Sequence, residues 1–528
     1  MACEYLQQHA ATGEATNGLI PGDDTNTQRT ILYINKRGLL AIASQFEDVM
    51  PITDDQDSIA RNALRLIGPD PANWVPDRPG IDHNVVLVGG GQTGSALAFT
   101  LRRAGIGKVS VIDASPDETQ AGVWLTAARM NLLRTPKNLA GPEVGIPELS
   151  FQAWYEARHD AEAYATIDRI PRLLWADYLS WYKRILSIKV RYDTRLIRIE
   201  PAEGFFRLHV SIRGESRVET TRKIVLATGF TGNGGAYMPP ELAVLPEDKR
   251  SHTQDAIEFT RLRGKVIAVV GAAAAAFDAA GVALEAGAAA VHLFSRRDSI
   301  ASVPIARVRG YPGAYDNYRQ LPDAIRWHQA IRFRRFGSTP TVDAIERAIA
   351  FPNFHLHLGS AWREAYVDGN QIVAHTADAV HRFDHVIAGT GYFVDPSARP
   401  EIAEFAEKIL LWKDKYTPPP DEEDPFLARH PYLGEAHEYL QKTPGTATFL
   451  RNIHVHNPAG FVSFGVPVGD VPSMRRDLPL VTARISRDLF FDDIEHHEAR
   501  MNGTIAPDFS SELYARSIRT ADNNSRDR

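Results

Sequence analysis

Three glycines in residues 89–94 are the first feature of this sequence that suggests chemistry. Gly89, Gly91 and Gly94 follow the spacing G-x-G-x-x-G. In that spacing the first glycine makes a tight turn, the second lets a pyrophosphate approach bare backbone, and the third lets a helix pack closely on a strand. Asp113 stands 24 residues after Gly89, near the spacing of about 20 expected for an acid that binds ribose hydroxyls. This pattern predicts a dinucleotide site that disfavours a 2′-phosphate.

The residues around this turn predict the elements that must position it. Residues 85–88 are a continuous apolar run typical of a parallel strand buried on both faces. A helix over residues 94–104 would point its free N–H groups at the phosphates, and a second apolar strand over residues 109–112 ends on Asp113. A glycine turn of some other α/β unit is the alternative. The turn residues predicted to bind the nucleotide are Gly89, Gly90, Gly91, Gln92, Thr93 and Gly94.

A second unit of the same kind follows later in the chain. An apolar strand over residues 266–270 leads to Gly271, an alanine-rich helix and another apolar strand over residues 291–294. Ala273 and Ala276 stand where glycines are usual, and the methyl group of Ala273 takes some of the room that a pyrophosphate needs. All three of these turn residues are predicted to contact a second nucleotide.

The second unit ends on different side chains from the first. Ser295, Arg296 and Arg297 replace the acid, and guanidinium groups at this position can grip a 2′-phosphate. The alternative is that the two arginines form a solvated surface pair. Two unlike strand ends indicate two unlike nucleotides, and the simplest pair is FAD with NADPH.

Four further residues are predicted to lie beside the cofactors. Thr228 and Thr390 each follow an apolar strand and precede a glycine, and these two strand ends bracket the second unit, which is therefore predicted to be inserted into the first. Asp470 follows a glycine-rich turn and precedes a helix, where it could meet a flavin ribityl or phosphate group. Trp124 could close over a flavin ring or could be a core aromatic residue, and the sequence leaves both open.

Composition narrows the class of partner. The chain has 528 residues, enough for about three domains, and its net charge of −6 argues against nucleic-acid or anionic-membrane surfaces. Its one cysteine, Cys3, excludes an intrachain disulfide and a cysteine-based metal or relay site. We expect no metal and no membrane span, a cytoplasmic protein and a small-molecule substrate. Self-association into a homo-oligomer is left open.

These patterns together predict how the chain divides. Residues 1–80 form an N-terminal extension that begins as a loose tail and contains a capped helix before Gly68. Residues 81–235 and 386–510 form the FAD-binding part with C-terminal helices, residues 236–385 the NADPH-binding part, and residues 511–528 a polar tail.

The ordered set GGGQTG, VID, GVW, LATGF, HTQDAIEF, VVGAAAAAFDAA, HLFSRR and AGTGYFVD resembles the class B flavin-dependent monooxygenases over residues 69–490. The resemblance implies an α/β fold of two nested Rossmann-like domains in a glutathione-reductase-like architecture. It also implies that NADPH reduces FAD, which then reacts with O2 to give a C4a-hydroperoxide, and that Trp124 contacts FAD.

The same resemblance supplies two catalytic candidates but no substrate. Asp255 stands near a position where Baeyer–Villiger enzymes carry tryptophan, and Arg134 stands where flavin-containing monooxygenases carry an asparagine. Ketone and amine oxidation both stay open, and we favour N-hydroxylation slightly. A flavin reductase that passes electrons to a quinone or protein is one alternative, and a non-catalytic flavin-binding regulator is another.

Overall fold

The computed structural model describes residues 32–34, 40–42 and 54–518. The chain divides into two compact units, Met1–Thr53 and Asp54–Arg528. In the first unit, strand β1 (Leu32–Ile34) pairs antiparallel with β2 (Leu40–Ile42). The predicted loose N-terminal tail, Cys3 and residues 519–528 lie outside the described residues. Everything below concerns the second unit.

The second unit combines runs of consecutive strands with strands separated by helices. The strands are β3 (His83–Val88), β4 (Val109–Ile112), β5 (Leu132–Pro136), β6 (Arg169–Pro171), β7 (Val190–Arg191), β8 (Thr194–Ala202), β9 (Phe205–Ile212), β10 (Glu215–Leu226), β11 (Gly234–Ala236), β12 (Arg250–His252), β13 (Val266–Val270), β14 (Ala290–Phe294), β15 (Phe354–His357), β16 (Glu364–Asp368), β17 (Gln371–His375), β18 (Val380–Phe383), β19 (His385–Ala388), β20 (Tyr392–Val394) and β21 (Ile453–Val455). The helices are α1 (Asp54–Leu66), α2 (Gln92–Arg103), α3 (Phe151–Thr166), α4 (Arg172–Ile185), α5 (Pro240–Ala243), α6 (Ala274–Glu285), α7 (Pro312–Asn317), α8 (Asp323–Phe336), α9 (Val342–Ile349), α10 (Trp412–Lys415), α11 (Phe461–Phe464), α12 (Val471–Asp492), α13 (Ile494–Met501) and α14 (Glu512–Ala515).

The larger sheet has the order β7-β4-β3-β10-β9-β8, and β21 also pairs with β10. Strands β3, β4, β7, β21 and the end of β10 run parallel, whereas β8, β9 and the start of β10 form an antiparallel meander. The sequence pattern of residues 190–201, 205–214 and 222–230 predicts antiparallel strands. That prediction is wrong for Val190–Arg191, since β7 pairs in parallel with β4 at the edge of the sheet, and for the end of β10 after Thr221, which pairs in parallel with β3 and β21.

The second sheet is wholly parallel, with the order β12-β19-β13-β14-β15. Its strands come from residues 250–388, whereas the first sheet takes strands from both sides of that range. This nesting confirms the predicted α/β fold, in which one dinucleotide-binding domain is inserted into another. The chain passes from the first fold to the inserted one through β11 and returns through β20, and these two strands pair with each other as an antiparallel ribbon.

Burial follows the alternation of side chains along the central strands. Val85 and Leu87 pack on one face of the first sheet with helices α2 and α12, and Val86 packs on the opposite face with Leu226 and β9. Since both faces are covered, a continuous apolar run rather than an alternating one is what this strand requires. Within the described residues, no helix combines the length and the apolar surface that a bilayer span requires.

In both folds, the helix after the glycine turn packs closely against the end of a neighbouring strand, but the glycine that allows this lies in a different place. In the first fold the helix residue Gly94 lies opposite Ala227, the residue after β10. In the second fold the helix residue is Ala276, and the opposing residue after β19 is Gly389, where an added Cβ would lie 2.6 Å from the Ala276 Cβ. The alanine that departs from the glycine pattern is therefore accommodated by a glycine on the neighbouring strand.

Helix boundaries agree with the sequence predictions to within a few residues. Helix α2 begins at Gln92, two residues before the predicted start, and α1 ends at Leu66 before Gly68. The polar tail predicted from residue 511 contains the short helix α14. These differences leave the order of elements unchanged.

Gly389→Ala should destabilise the inserted domain by about 1–3 kcal/mol because its methyl group would overlap that of Ala276. Ala276→Gly should recover part of this loss in the double variant, since it removes one of the two overlapping methyl groups. Urea unfolding of both single variants and the double variant measures the coupling. Strictly additive effects would contradict this packing account.

Candidate cofactor cleft and active site

The first glycine turn has the shape that its spacing predicts. Gly89 has a φ of +111°, and a Cβ there would lie 2.2 Å from the backbone oxygen of Ala227. A Cβ on Gly94 would lie 1.9 Å from the oxygen of Gly89, so helix α2 sits directly on the turn. A Cβ on Gly91 would meet nothing within 4 Å. The turn is closed behind its first and third glycines and open in front of its second, where a pyrophosphate needs access.

Asp113 lies at the end of β4 and is tied to this turn. Its Oδ2 accepts a hydrogen bond from the Gly90 N–H at 2.7 Å, and its Oδ1 accepts one from the Ser115 N–H at 2.8 Å. A carboxylate offers about four acceptor sites. The side chain is therefore fixed in place and keeps acceptor capacity for ribose hydroxyls.

A C-terminal loop closes over the same turn. The Gln92 side chain donates to the Gly469 oxygen at 2.9 Å, and the Thr93 hydroxyl lies 3.5 Å from the same oxygen. Asp470 caps α12 by accepting from the Val471 N–H at 2.7 Å, and burial raises the pKa of Asp470 to about 6. The N-termini of α2 and α12 thus meet at one place, and both favour an anionic group there.

Two threonines predicted beside the cofactors use their hydroxyls within the protein. The Thr228 hydroxyl accepts from the Asn457 side chain at 3.2 Å, and the Thr390 hydroxyl donates to the Tyr237 backbone oxygen. Both residues lie at carboxyl ends of parallel strands, β10 and β19, where ligands of open α/β sheets bind. They stabilise the strand ends that form the walls of the cleft.

The second turn repeats the first with alanine. Gly271 has a φ of +123°, and a Cβ there would lie 2.2 Å from the Gly389 backbone oxygen. Ala273 stands at the N-cap of α6, and Ala276 is fully buried beneath it. The turn keeps the closed back and the helix N-terminus that a phosphate requires.

Arg296 and Arg297, which follow β14, have side chains in different environments. The Arg297 guanidinium donates to the backbone oxygens of Phe336 at 2.9 Å and Arg334 at 3.1 Å, at the C-terminal end of α8. The buried Ser295 hydroxyl accepts from the Arg297 N–H at 3.1 Å, while Arg296 is exposed. Arg297 therefore caps a helix, and Arg296 is left to meet solvent or a ligand.

Trp124 is half-buried beside the first turn. Its ring lies edge-on to that of Trp175, with centroids 6.5 Å apart, and its backbone oxygen accepts from Arg172. The Trp175 indole N–H in turn donates to the Gln92 side chain at 3.1 Å. Trp124 is joined to the turn through Trp175, a contact between residues 51 positions apart that no local motif indicates.

Arg134 lies between the two folds on strand β5. Its guanidinium makes no hydrogen bond or ion pair with the described residues. Burial lowers the pKa of Arg134, whereas the carboxylates of Asp278 on α6 and Asp470 before α12 oppose that change. Burial also raises the pKa of Asp278 to about 6. A cation without a direct partner thus faces acidic groups from both dinucleotide folds.

Asp255, the other catalytic candidate, is engaged in a turn. Its Oδ2 accepts from the His252 N–H at 2.7 Å. The His252 ring is buried, accepts from the Gln254 N–H at 3.0 Å and lies edge-on to Tyr392, and burial lowers the pKa of His252. The Asp255 carboxylate therefore acts on its own loop.

A crossing contact holds the first fold against the inserted domain. Arg129 donates to the backbone oxygens of Thr253 at 2.5 Å and Asp255 at 2.6 Å. Arg347 on α9 donates to the Arg129 backbone oxygen at 2.7 Å and pairs with Glu285 through two bonds of 2.6 Å. Sequence reasoning missed this contact because its members are up to 218 residues apart.

A cavity of about 230 Å³ lies on the other face of β5 from Arg134. Its walls include Leu133 and Thr135 of β5, the ring of Trp175, and Val471 at the start of α12. Since Trp175 bonds to the first turn and Val471 follows Asp470, the cavity adjoins the cleft of the first fold. The described residues contain no group of three or more potential metal ligands that could hold an ion.

Comparison with known proteins agrees with this geometry. A family model described as FAD-NAD(P)-binding matches residues 86–231. The FAD-dependent urate hydroxylase of Xanthomonas campestris pv. campestris is 37% identical over 427 residues, which cover 80% of this chain and 89% of that protein.

Solved structures of similar fold include two ornithine hydroxylases. The reduced form of ornithine hydroxylase from Pseudomonas aeruginosa has a TM-score of 0.59 and 18% identity, covering 78% of this chain and 100% of that one. Ornithine N-hydroxylase from Kutzneria sp. 744 has a TM-score of 0.60 and 16% identity, covering 77% and 99%.

The extent of the match to the urate hydroxylase decides the family. The resemblance predicted from the ordered motifs is thereby confirmed, as are its cofactor class and its assignment to the flavin-dependent oxidoreductases. The chain belongs to the family of FAD-dependent hydroxylases that includes the Xanthomonas urate hydroxylase.

Proposed function

We propose that this hydroxylase uses NADPH and O2 to hydroxylate a small oxopurine, with urate as the first substrate to test. The support is the 37% identity to a urate hydroxylase over four-fifths of the chain. One oxygen atom enters the product and the other leaves as water, while NADPH and a proton supply the two electrons and the hydrogens. FAD, when bound, supplies the redox chemistry that activates O2.

The proposed FAD site lies on residues 81–235 and 386–510. Gly91 would admit the pyrophosphate, Asp113 would bind the adenosine ribose, and the joined N-termini of α2 and α12 would face anionic groups. Asp470 and Trp124 flank this region. The open face of the turn fits such a ligand because no described residue lies within 4 Å of a Cβ placed on Gly91.

The proposed NADPH site lies on residues 236–385. The turn from Gly271 to Ala276 would hold the pyrophosphate, and Arg296 would pair with the 2′-phosphate. Arg297 supports this site indirectly by fixing the strand end to α8. A cytoplasmic location and homo-oligomerisation stay predictions from the sequence.

The position of Arg134 supports the proposal that both cofactors act in one cleft. Its unpaired guanidinium faces Asp278 from the inserted fold and Asp470 from the first fold, which is the position expected for a residue between the two proposed cofactor sites. A guanidinium stays charged and binds planar oxygen-rich groups in a fixed orientation. We assign Arg134 the role of orienting anionic groups where the two sites meet.

N-hydroxylation of an amine is the second reaction to test. Enzymes with ornithine and lysine in their names share this fold at 16–18% identity, which establishes the architecture alone. The sequence relative instead points to hydroxylation of urate, a purine. The two substrate classes therefore enter the same assay.

Urate should stimulate both NADPH and O2 consumption by the purified FAD-loaded enzyme, and mass spectrometry should find one added oxygen in the product. Ornithine, lysine and simple ketones serve as competing substrates. Arg134→Gln should keep bound FAD and lower the urate-dependent rate by about tenfold or more, because it removes a charge where the cofactor sites converge. Arg475→Gln, at an exposed arginine, is the matched control.

Oxygen incorporation into an amine without incorporation into urate would replace the oxopurine proposal with N-hydroxylation. NADPH oxidation with no oxygenated product, but with transfer of electrons to a quinone, would show a reductase.

Gly91→Ala and Gly94→Ala should separate cofactor binding from folding. The first variant should unfold like the wild-type protein but bind FAD about tenfold or more weakly, since its methyl group enters only the pyrophosphate path. The second should destabilise the fold by about 3 kcal/mol or more because its methyl group overlaps the Gly89 oxygen. Urea unfolding and FAD titration measure both, and undiminished FAD affinity in Gly91→Ala would refute the assignment.

Arg296→Ala should reduce kcat/KM for NADPH about tenfold or more and leave that for NADH unchanged, because only NADPH carries the 2′-phosphate. Arg297→Ala is the comparison, and it should lower thermal stability while affecting both nucleotides equally. Steady-state kinetics with both nucleotides gives the ratio. A wild-type enzyme without preference for NADPH would contradict the site.

A further inference from the structure

Glu143 is an acid that the account above leaves without a role. Its side chain lines the cavity of about 230 Å³ behind β5. Both of its carboxyl oxygens lie 2.9 Å from the Gly141 N–H, and it forms no ion pair with the described residues. The cavity thus contains a polar group that has unused donor and acceptor capacity.

The surroundings of Glu143 are aromatic rather than basic. Phe151 and Trp175 line the same cavity, and Tyr178 and Tyr182 stand behind the acid on α4. The two tyrosine hydroxyls donate elsewhere, to the Leu149 oxygen at 2.8 Å and the Pro142 oxygen at 2.5 Å. Among the described residues no cation offsets a charge on this carboxyl, and burial raises the pKa of Glu143 against the opposing hydrogen bonds from the Gly141 and Glu143 backbone N–H groups.

The other charged groups near the cavity do not stabilise the ionised form of Glu143. Lys137 lines it, but its ammonium donates to the Tyr164 and Ala165 backbone oxygens at 2.6 and 3.2 Å, at the end of α3. Asp470 lies beyond Val471 and is itself an acid with a raised pKa. The protonated form of Glu143 therefore persists to a higher pH than that of an ordinary glutamate.

We propose that the Glu143 carboxyl binds the N–H and C=O edge of an oxopurine held in this cavity. A protonated carboxyl has one O–H donor and one carbonyl acceptor, which complement the adjacent acceptor and donor of a cyclic amide. The rings of Trp175 and Phe151 offer flat surfaces for a planar heterocycle. This inference rests on the proposed function and identifies where its substrate is recognised.

The volume of the cavity agrees with a small ring system. Pockets for drug-sized ligands span about 300–1,000 Å³, and this cavity of about 230 Å³ falls below that range. Its contact with Val471 and Trp175 places the ligand beside the proposed FAD site. A bicyclic purine fits these limits of size and position.

The direction in which ligand affinity changes with pH follows from the O–H donor of the Glu143 carboxyl. The carboxyl O–H is present below the raised pKa of Glu143 and is lost as the pH rises through it. Affinity for the ligand should therefore be greatest on the acid side of this pKa and should fall on the alkaline side. Glutamine keeps a donor and an acceptor without titrating, whereas leucine keeps neither.

Calorimetric titration of the oxidised, FAD-loaded enzyme with urate, without NADPH, tests the inference over the pH range in which the carboxyl titrates. Glu143→Leu should raise the Kd at least about tenfold. Glu143→Gln should bind within about threefold of the wild-type enzyme and lose the part of the pH dependence that the acid causes. The exposed acid in Glu162→Gln is the matched control, and FAD content should be unchanged throughout.

The outcomes separate this inference from the proposed function. Wild-type affinity in Glu143→Leu, in an enzyme that hydroxylates urate, would overturn the cavity assignment and leave the function standing. An equal loss in the Gln and Leu variants would overturn the neutral-carboxyl pairing. A wild-type enzyme that neither binds nor hydroxylates urate would overturn both. If the Leu variant fails to fold, the pH profile of Glu143→Gln still decides the inference.

Discussion

Close approach between a glycine turn and the backbone of a neighbouring strand is the constraint on which this structure depends. Gly89 faces the Ala227 oxygen and Gly271 faces the Gly389 oxygen, each at a distance that excludes a side chain. The helix that follows each turn can then sit on the sheet with its N-terminus at the strand ends. Both proposed cofactor sites, and the cleft between them, depend on these two contacts.

The local units were predictable because their signals are local. Strand, turn and helix of each fold lie within about 30 residues, and the periodicity of apolar residues identifies them. Even the substitution of Ala276 for glycine was visible, although its compensation by Gly389 was not, since that residue lies 113 positions later. The sequence therefore predicted the nesting of the folds but not the contact between the helix after the second turn and the strand end at Gly389.

Fewer of the site residues than of the strands and helices could be predicted, because the environment of a site residue is formed by segments far apart in sequence. Arg297 looked equivalent to Arg296 until the structure joined it to the end of α8. Glu143 carried no motif, and only its enclosure among aromatic residues sets it apart. A residue's chemistry in this protein depends on which surfaces surround it, and those surfaces come from segments that local spacing cannot relate.

The ribbon formed by β11 and β20 has a mechanical consequence. Both passages of the chain between the two folds run side by side and share backbone hydrogen bonds, so they behave as one strap. Because the Arg129 guanidinium also bonds to the Thr253 and Asp255 backbone oxygens, any change in the angle between the two folds would have to deform this ribbon and break those bonds.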